Sequence, residues 1–260
     1  MKIRTLWVVV IVLIGAVSLG LFLVVQPLVW PVDSKPPQVS AALLERHVKH
    51  LSVDLHPRSQ DQLKNINLAA DYIFNELKAS GGSMAVQDVT VEGVVYKNII
   101  ARFGPSSGPV MVVGAHYDSH GDSESAAKRA ERFTADTHTP GADDNASGVP
   151  GMSLLYPDKG NFIALVGRMG DFNTMRRTKA LMAGATDLPV RSVNAPPVVP
   201  GIDFSDHLNY WEQGFRAVMV TDTAFMRNQN YHLAGDTSDK LNYQRMAKVV
   251  QGVYAVVQGY

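Results

Sequence analysis

From Thr5 to Val32 the chain carries no charged residue, and Leu6 to Val25 is almost wholly apolar. Twenty helical residues rise about 30 Å, the thickness of a bilayer hydrocarbon core, so this run restricts the fold more than any other feature. Trp7 and Trp30 bracket it as interfacial aromatics do, and Lys2 and Arg4 precede it. The expectation is a single-pass membrane protein. Residues 1–4 form a cytoplasmic tip, 5–30 a transmembrane anchor and 31–40 a linker, with the remainder outside the cytoplasm. The competing reading is a cleaved signal peptide. Its apolar region would span about 7–15 residues before a small-x-small site, and Val17-Ser18-Leu19 is a poor one.

The 260 residues carry 24 Lys and Arg against 24 Asp and Glu, and no cysteine. Without a basic excess on one face, a nucleic-acid partner is not expected. Without thiolates, disulfides are excluded, and any metal must sit on His, Asp and Glu. Periodicity predicts helices over 41–51, 61–80, 173–183 and 243–257. Alternation predicts strands over 86–95 and 98–103. Continuous apolar runs at 110–114, 162–166 and 217–220 predict buried strands. Strands alternating with helices make the chain α/β, with a sheet flanked by helices.

Three segments hold the chemistry. Gly114-Ala-His116-Tyr-Asp118-Ser119 follows an expected strand, the position where sites gather in open α/β sheets. Imidazole is the commonest neutral metal ligand, and Asp118 is placed to fix its tautomer. A single hydrogen-bonded histidine at a strand end is the plainer alternative. In Gly141-Ala-Asp143-Asp144-Asn-Ala-Ser-Gly148 two adjacent carboxylates concentrate negative charge, which a metal ordinarily compensates; a helix-capping turn would also accept them. Asn230-Tyr-His232-Leu-Ala-Gly-Asp236-Thr237 sets a histidine and an aspartate in a loop. Asp203-Phe-Ser205-Asp206-His207 is contiguous, and a catalytic triad must converge from separate segments. His47, His50, His56, His120 and His138 read as ordinary solvated residues.

In order, these segments resemble the co-catalytic zinc aminopeptidases of metallopeptidase family 28, relatives of the glutamate carboxypeptidases and glutaminyl cyclases. The likeness starts near Ala41, passes through Asn98-Ile-Ile-Ala-Arg-Phe103 and the first two motifs, and resumes from Tyr156 to the C-terminus. It implies one peptidase-like domain over 41–260 with a mixed, mostly parallel sheet. It implies that His116 binds one zinc, His232 another, and that Asp144 bridges both. Asp118, Asp143 and Asp236 would stand behind these ligands, and Asp206 and His207 match a motif near the site. In that family a bridging water attacks the peptide carbonyl between metals about 3.5–4 Å apart.

The chain departs from the family at one place. Members carry a segment with a Glu-Glu pair, general base then metal ligand, and a further acidic ligand beyond it. Here Ser147-Gly-Val-Pro-Gly-Met-Ser-Leu-Leu155 runs straight into Tyr156, and no Glu occurs between Glu131 and Glu212. Asp158 and Asp171 lie in ordinary flanking stretches and are not recruited. The expectation is a domain truncated near 150–156, lacking interior strands, with no identifiable catalytic base and one zinc ion or none. The function expected is a membrane-anchored, zinc-dependent exopeptidase acting on peptides, impaired by that loss. The alternative is a non-catalytic relic retaining metal or peptide binding. Glutaminyl cyclase chemistry is disfavoured, because it too uses an active-site glutamate.

Overall fold

A computed structural model describes residues 3–120, 156, 157, 160–199, 201–224, 228, 230–233 and 235–260. Those within Met1–Ser40, Phe133–Gln229 and Gln244–Tyr260 form one compact unit, and those within Ala41–Arg132 and Asn230–Tyr243 form a second.

The first unit begins with helix α1, Ile3–Val25. Leu6–Val25 has a mean hydropathy of 3.1 and is long and apolar enough to cross a membrane. The helix stops at Gln26, whose φ of 48° leaves the helical region, ahead of Pro27, which has no N–H to donate. Residues 27–40 then run without regular structure, pinned to the unit behind them. The Val32 N–H donates to Ala180 O and the Ser34 N–H to Gly184 O. The Gln251 amide donates to Pro37 O. A Cβ at Gly184 would collide with the Val32 backbone, so glycine there is what lets the segment lie this close. The expected linker is a docked strap.

Strand β3, Ile163–Arg168, forms the centre of a three-stranded sheet. It pairs in parallel with β4, Val190–Ala195, and antiparallel with β5, Met219–Thr221. The run at 162–166 is buried throughout as anticipated. The one at 217–220 yields only a three-residue, partly exposed strand, because nothing among the described residues pairs with its outer edge. Helix α4, Phe172–Ala183, sends Met175 and Met182 against Ile163, Leu165 and Leu188. In the last helix, Tyr243–Gly259, Val249, Val253 and Val256 complete that core. A second apolar group gathers Val166, Ala195 and Ile202. Asp171, not recruited on sequence grounds, is buried and paired with Arg168 at 2.8 Å.

In the second unit, helix α2, Ala41–Lys49, passes into a π turn at His50–Asp54. Helix α3, Leu63–Ala79, buries Ile66, Ala69 and Ala70. Strands β1, Ser83–Val91, and β2, Val94–Arg102, form an antiparallel hairpin. The single strand expected over 86–95 is therefore cut by a turn at Glu92-Gly93. Both turn residues have positive φ, 51° and 82°, the geometry a two-residue hairpin loop requires.

The run at 110–114 departs furthest from expectation. It forms no strand, and Val110, Val112 and Val113 are 68%, 61% and 64% exposed. A continuous apolar strand is buried only when neighbours cover both faces, and no described strand pairs with this one. Of the three ladders among the described residues, one is parallel and two antiparallel.

Candidate metal centre

Residues 116–120 lie in the second unit beyond β2, without regular secondary structure, yet they are tied down. Ser119 N–H donates to Arg58 O, and the Arg58 N–H returns a bond to Ser119 Oγ. Arg58 Nε donates to Tyr117 O at 2.8 Å, and the Tyr117 hydroxyl donates to Lys97 O at 2.6 Å. Arg58, in the connection between α2 and α3, is thus the residue that fixes this segment, and no motif marked it in advance.

His116 and Asp118 meet within this anchored stretch. His116 Nδ1 lies 3.0 Å from Asp118 O and 3.1 Å from Asp118 Oδ1. A proton on Nδ1 donated to aspartate leaves the lone pair on Nε2, the tautomer a metal-ligating imidazole uses. The same hydrogen bond holds the Asp118 carboxyl below the usual carboxylate range, with burial opposing it.

His232 belongs to the same unit. Its ring stacks on Tyr231 at 3.8 Å and on His120 at 4.0 Å, the latter pair 23° apart in plane. Burial, then the nearby charges of His120 and His116, pushes its pKa down to about 4. At neutral pH the ring is therefore uncharged with a lone pair free to coordinate. Its φ of 61° is left-handed, unusual for a residue with a Cβ. Asp236 is exposed in the same loop, its N–H donating to Leu233 O at 3.0 Å.

His120 corrects the sequence reading. It is half-buried against His232 and not an ordinary solvated residue. Its position four residues after His116 was the only available signal. His47 and His50 are also half-buried, both ringed against Tyr72, with His50 bound to Asp54 at 2.8 Å. Among the described ones, His56 is exposed as anticipated.

Asp206 and His207 belong to the other unit, at the start of the short helix α5, His207–Glu212. His207 is buried, its Nε2 donating to Ile202 O at 2.7 Å and its ring edge-on to Trp211. Asp206 is exposed and makes no side-chain cap. Asp143 and Asp144, like His138 and Asp158, lie outside the described residues. Among the described residues no three His, Asp and Glu side chains converge to hold a metal ion. Two imidazoles suit zinc, but a zinc site needs three or more protein ligands. The described residues alone therefore fall short of one.

A match to peptidase family M28 covers residues 98–156, a span that contains His116, Asp118, Asp143 and Asp144. The uncharacterized protein YfbL of Escherichia coli (strain K12) is 38% identical over 305 residues. That alignment takes in 89% of this chain and 92% of the relative. No solved structure matches the chain.

Proposed function

The chain belongs to peptidase family M28, a family of metallopeptidases that generally use zinc, and on that premise we propose a membrane-anchored exopeptidase of the aminopeptidase type with an impaired catalytic apparatus. The observation that carries the reading is the His116–Asp118 pair, which lies inside the family match and fixes the tautomer that a metal-ligating imidazole uses. His116, Asp144 and His232 would hold one zinc, with Asp143 and Asp236 steadying their neighbours. When bound, zinc would polarise a peptide carbonyl and acidify a water. The neutral state of His232 and the fixed tautomer of His116 are what these residues contribute. The mixed, mostly parallel sheet with interior strands missing and the anchored topology, with residues 1–4 in the cytoplasm, belong to this proposal.

Impairment rests on the missing Glu-Glu pair. The aligned span of 305 residues exceeds the 260 of the chain, which supports a segment present in the relative and absent here. A positioned base contributes about 10²–10⁴-fold, so turnover of aminoacyl anilides should fall below that of an intact member by that factor. The test is metal analysis of the purified full chain together with an aminoacyl-anilide panel. Slow cleavage, lost in Asp144→Ala, supports the proposal. No bound zinc and no cleavage would sink the enzyme reading, and fast cleavage would sink the impairment. The first of those outcomes would favour a non-catalytic relic.

A further inference from the structure

The last turn of α1 is built into the first unit. Gln26 is buried, and its amide donates to Asn194 Oδ1 at 2.7 Å and to Phe172 O at 3.4 Å. Val25 O accepts from Lys179 Nζ at 3.2 Å and from Ser192 Oγ at 2.9 Å. Gln26 O accepts from Lys179 Nζ at 2.9 Å. The Arg176 guanidinium lies 5.6 Å from the centre of the Phe22 ring and donates to Leu28 O at 3.0 Å. Farther along, the Val32 N–H is held by Ala180 O. Residues 28–32 are thereby fixed at both ends, and Leu28 stays within a side chain's reach of the helix.

What this fixed segment presents is apolar. Pro27-Leu-Val-Trp30-Pro-Val32 carries no charge, and the first charged residues after α1 are Asp33 and Lys35. Leu28 and Trp30 are 66% and 84% exposed although the backbone that carries them is bound. Their depth follows from the helix. The apolar span ends at Val25, and beyond the hydrocarbon the headgroup layer is about 5–8 Å thick on each side. Irregular backbone is not tolerated against lipid tails, so residues 27–32 can lie no deeper than that layer. Their attachment to the last turn of α1 keeps them from lying far outside it. Tryptophan is enriched at that level, where its ring is covered and its N–H stays wet.

We infer that Leu28 and Trp30 lie in the headgroup layer of the bilayer and seat the first unit directly on the membrane surface. The inference rests on the reading that α1 spans the membrane. Lipid is the occupant because the patch continues the apolar helix, with no charged residue between Thr5 and Val32. The hydrogen bonds at Val25, Gln26, Leu28 and Val32 make the junction stiff, so the unit does not swing on a tether.

Because the chain has no cysteine, one introduced cysteine carries a spin label alone. Full-length Leu28→Cys, Trp30→Cys, Ile11→Cys and Asp187→Cys are labelled in phosphatidylcholine nanodiscs. Collisions with lipid-soluble oxygen are compared with collisions with a water-soluble nickel chelate. Ile11 lies within the span, and Asp187 is an exposed charge on the first unit. Leu28 and Trp30 are already exposed, so their variants lose few contacts and fold. Labels at 28 and 30 are expected to lose chelate collisions and gain oxygen collisions relative to 187, falling between 187 and 11. Chelate access at 28 and 30 equal to that at 187 overturns the seat. Spin–spin broadening at 28 and 30 that fades on dilution with unlabelled chain makes a second copy the occupant, and overturns it too. A label at 11 as open to the chelate as 187 removes the anchor and the seat together. A label at 11 buried in lipid, with 28 and 30 open to the chelate, removes the seat alone.

Discussion

Lys179 is 8% exposed and meets only neutral oxygens and positive neighbours. Burial, then Arg191 and Arg176, lowers its pKa to about 8, against 10.5 for a free lysine. A lysine with a depressed folded pKa costs stability while it is charged. That cost is complete below about pH 8 and is relieved as pH rises from there toward 10.5, where the unfolded chain still binds the proton and the folded chain has lost it. Unfolding midpoints in detergent should therefore rise between these values, and Lys179→Met should flatten that rise. A slope unchanged in the variant would show that Lys179 does not titrate there. For His232 the test is ring titration by NMR. In His120→Ala its pKa should move from about 4 up toward 6.5, because both a covering ring and a neighbouring charge are removed. His116 and His232 were legible as candidates from their motifs. The contact of His120 with His232 joins residues far apart in the chain, and no local pattern encodes such a pairing.

At the scale of elements, the segment after α1 decides most. Proline content and the lack of periodicity made 31–40 read as a linker, and those features do describe its backbone. They say nothing about which carbonyls and amides it meets. The strap adds a second donor to Ala180 O, which already accepts from the Gly184 N–H, and supplies one to Gly184 O, and Gln26 is 1% exposed with its amide donating to Asn194 Oδ1 at 2.7 Å. A truncation beginning at Ala41 should consequently take Val25 O and Gln26 O from Lys179, Val25 O from the Ser192 hydroxyl and the Gln26 amide from Asn194 Oδ1, each unsatisfied buried group costing about 1–3 kcal/mol. Denaturant unfolding should place it several kcal/mol below a fragment beginning at Val25. Equal stability of the two would refute the structural role of the strap. Helices at 173–183 and 243–257 were legible because an amphipathic stripe is a local property. The run at 110–114 was misleading for the converse reason, since burial depends on neighbours that the run does not contain.

For the whole molecule, the proposed zinc links fold to function through mass action. A ligand that binds only the native state adds RT ln(1 + [L]/Kd), about 2.7 kcal/mol at one hundred times Kd. Zinc should raise the thermal midpoint of the full chain, chelation should reverse the rise, and His116→Ala or Asp144→Ala should abolish it. A zinc response that survives both substitutions would place the metal elsewhere. This readout does not depend on turnover, so it tests the ligands even if the missing glutamates leave no measurable catalysis.

Length of the apolar run, absence of cysteine, the paired aspartates and the order of the histidine motifs are one-dimensional facts, and from them came the long apolar helix, the candidate metal ligands and the family likeness. Which partners each group meets was decided only in three dimensions: Arg58 under the His116 segment, His120 against His232, and Lys179 beneath the end of the apolar helix α1. Hydrophobic periodicity follows from local geometry and survives in any context. A hydrogen bond or a ring stack between distant residues exists only after the chain has folded back on itself.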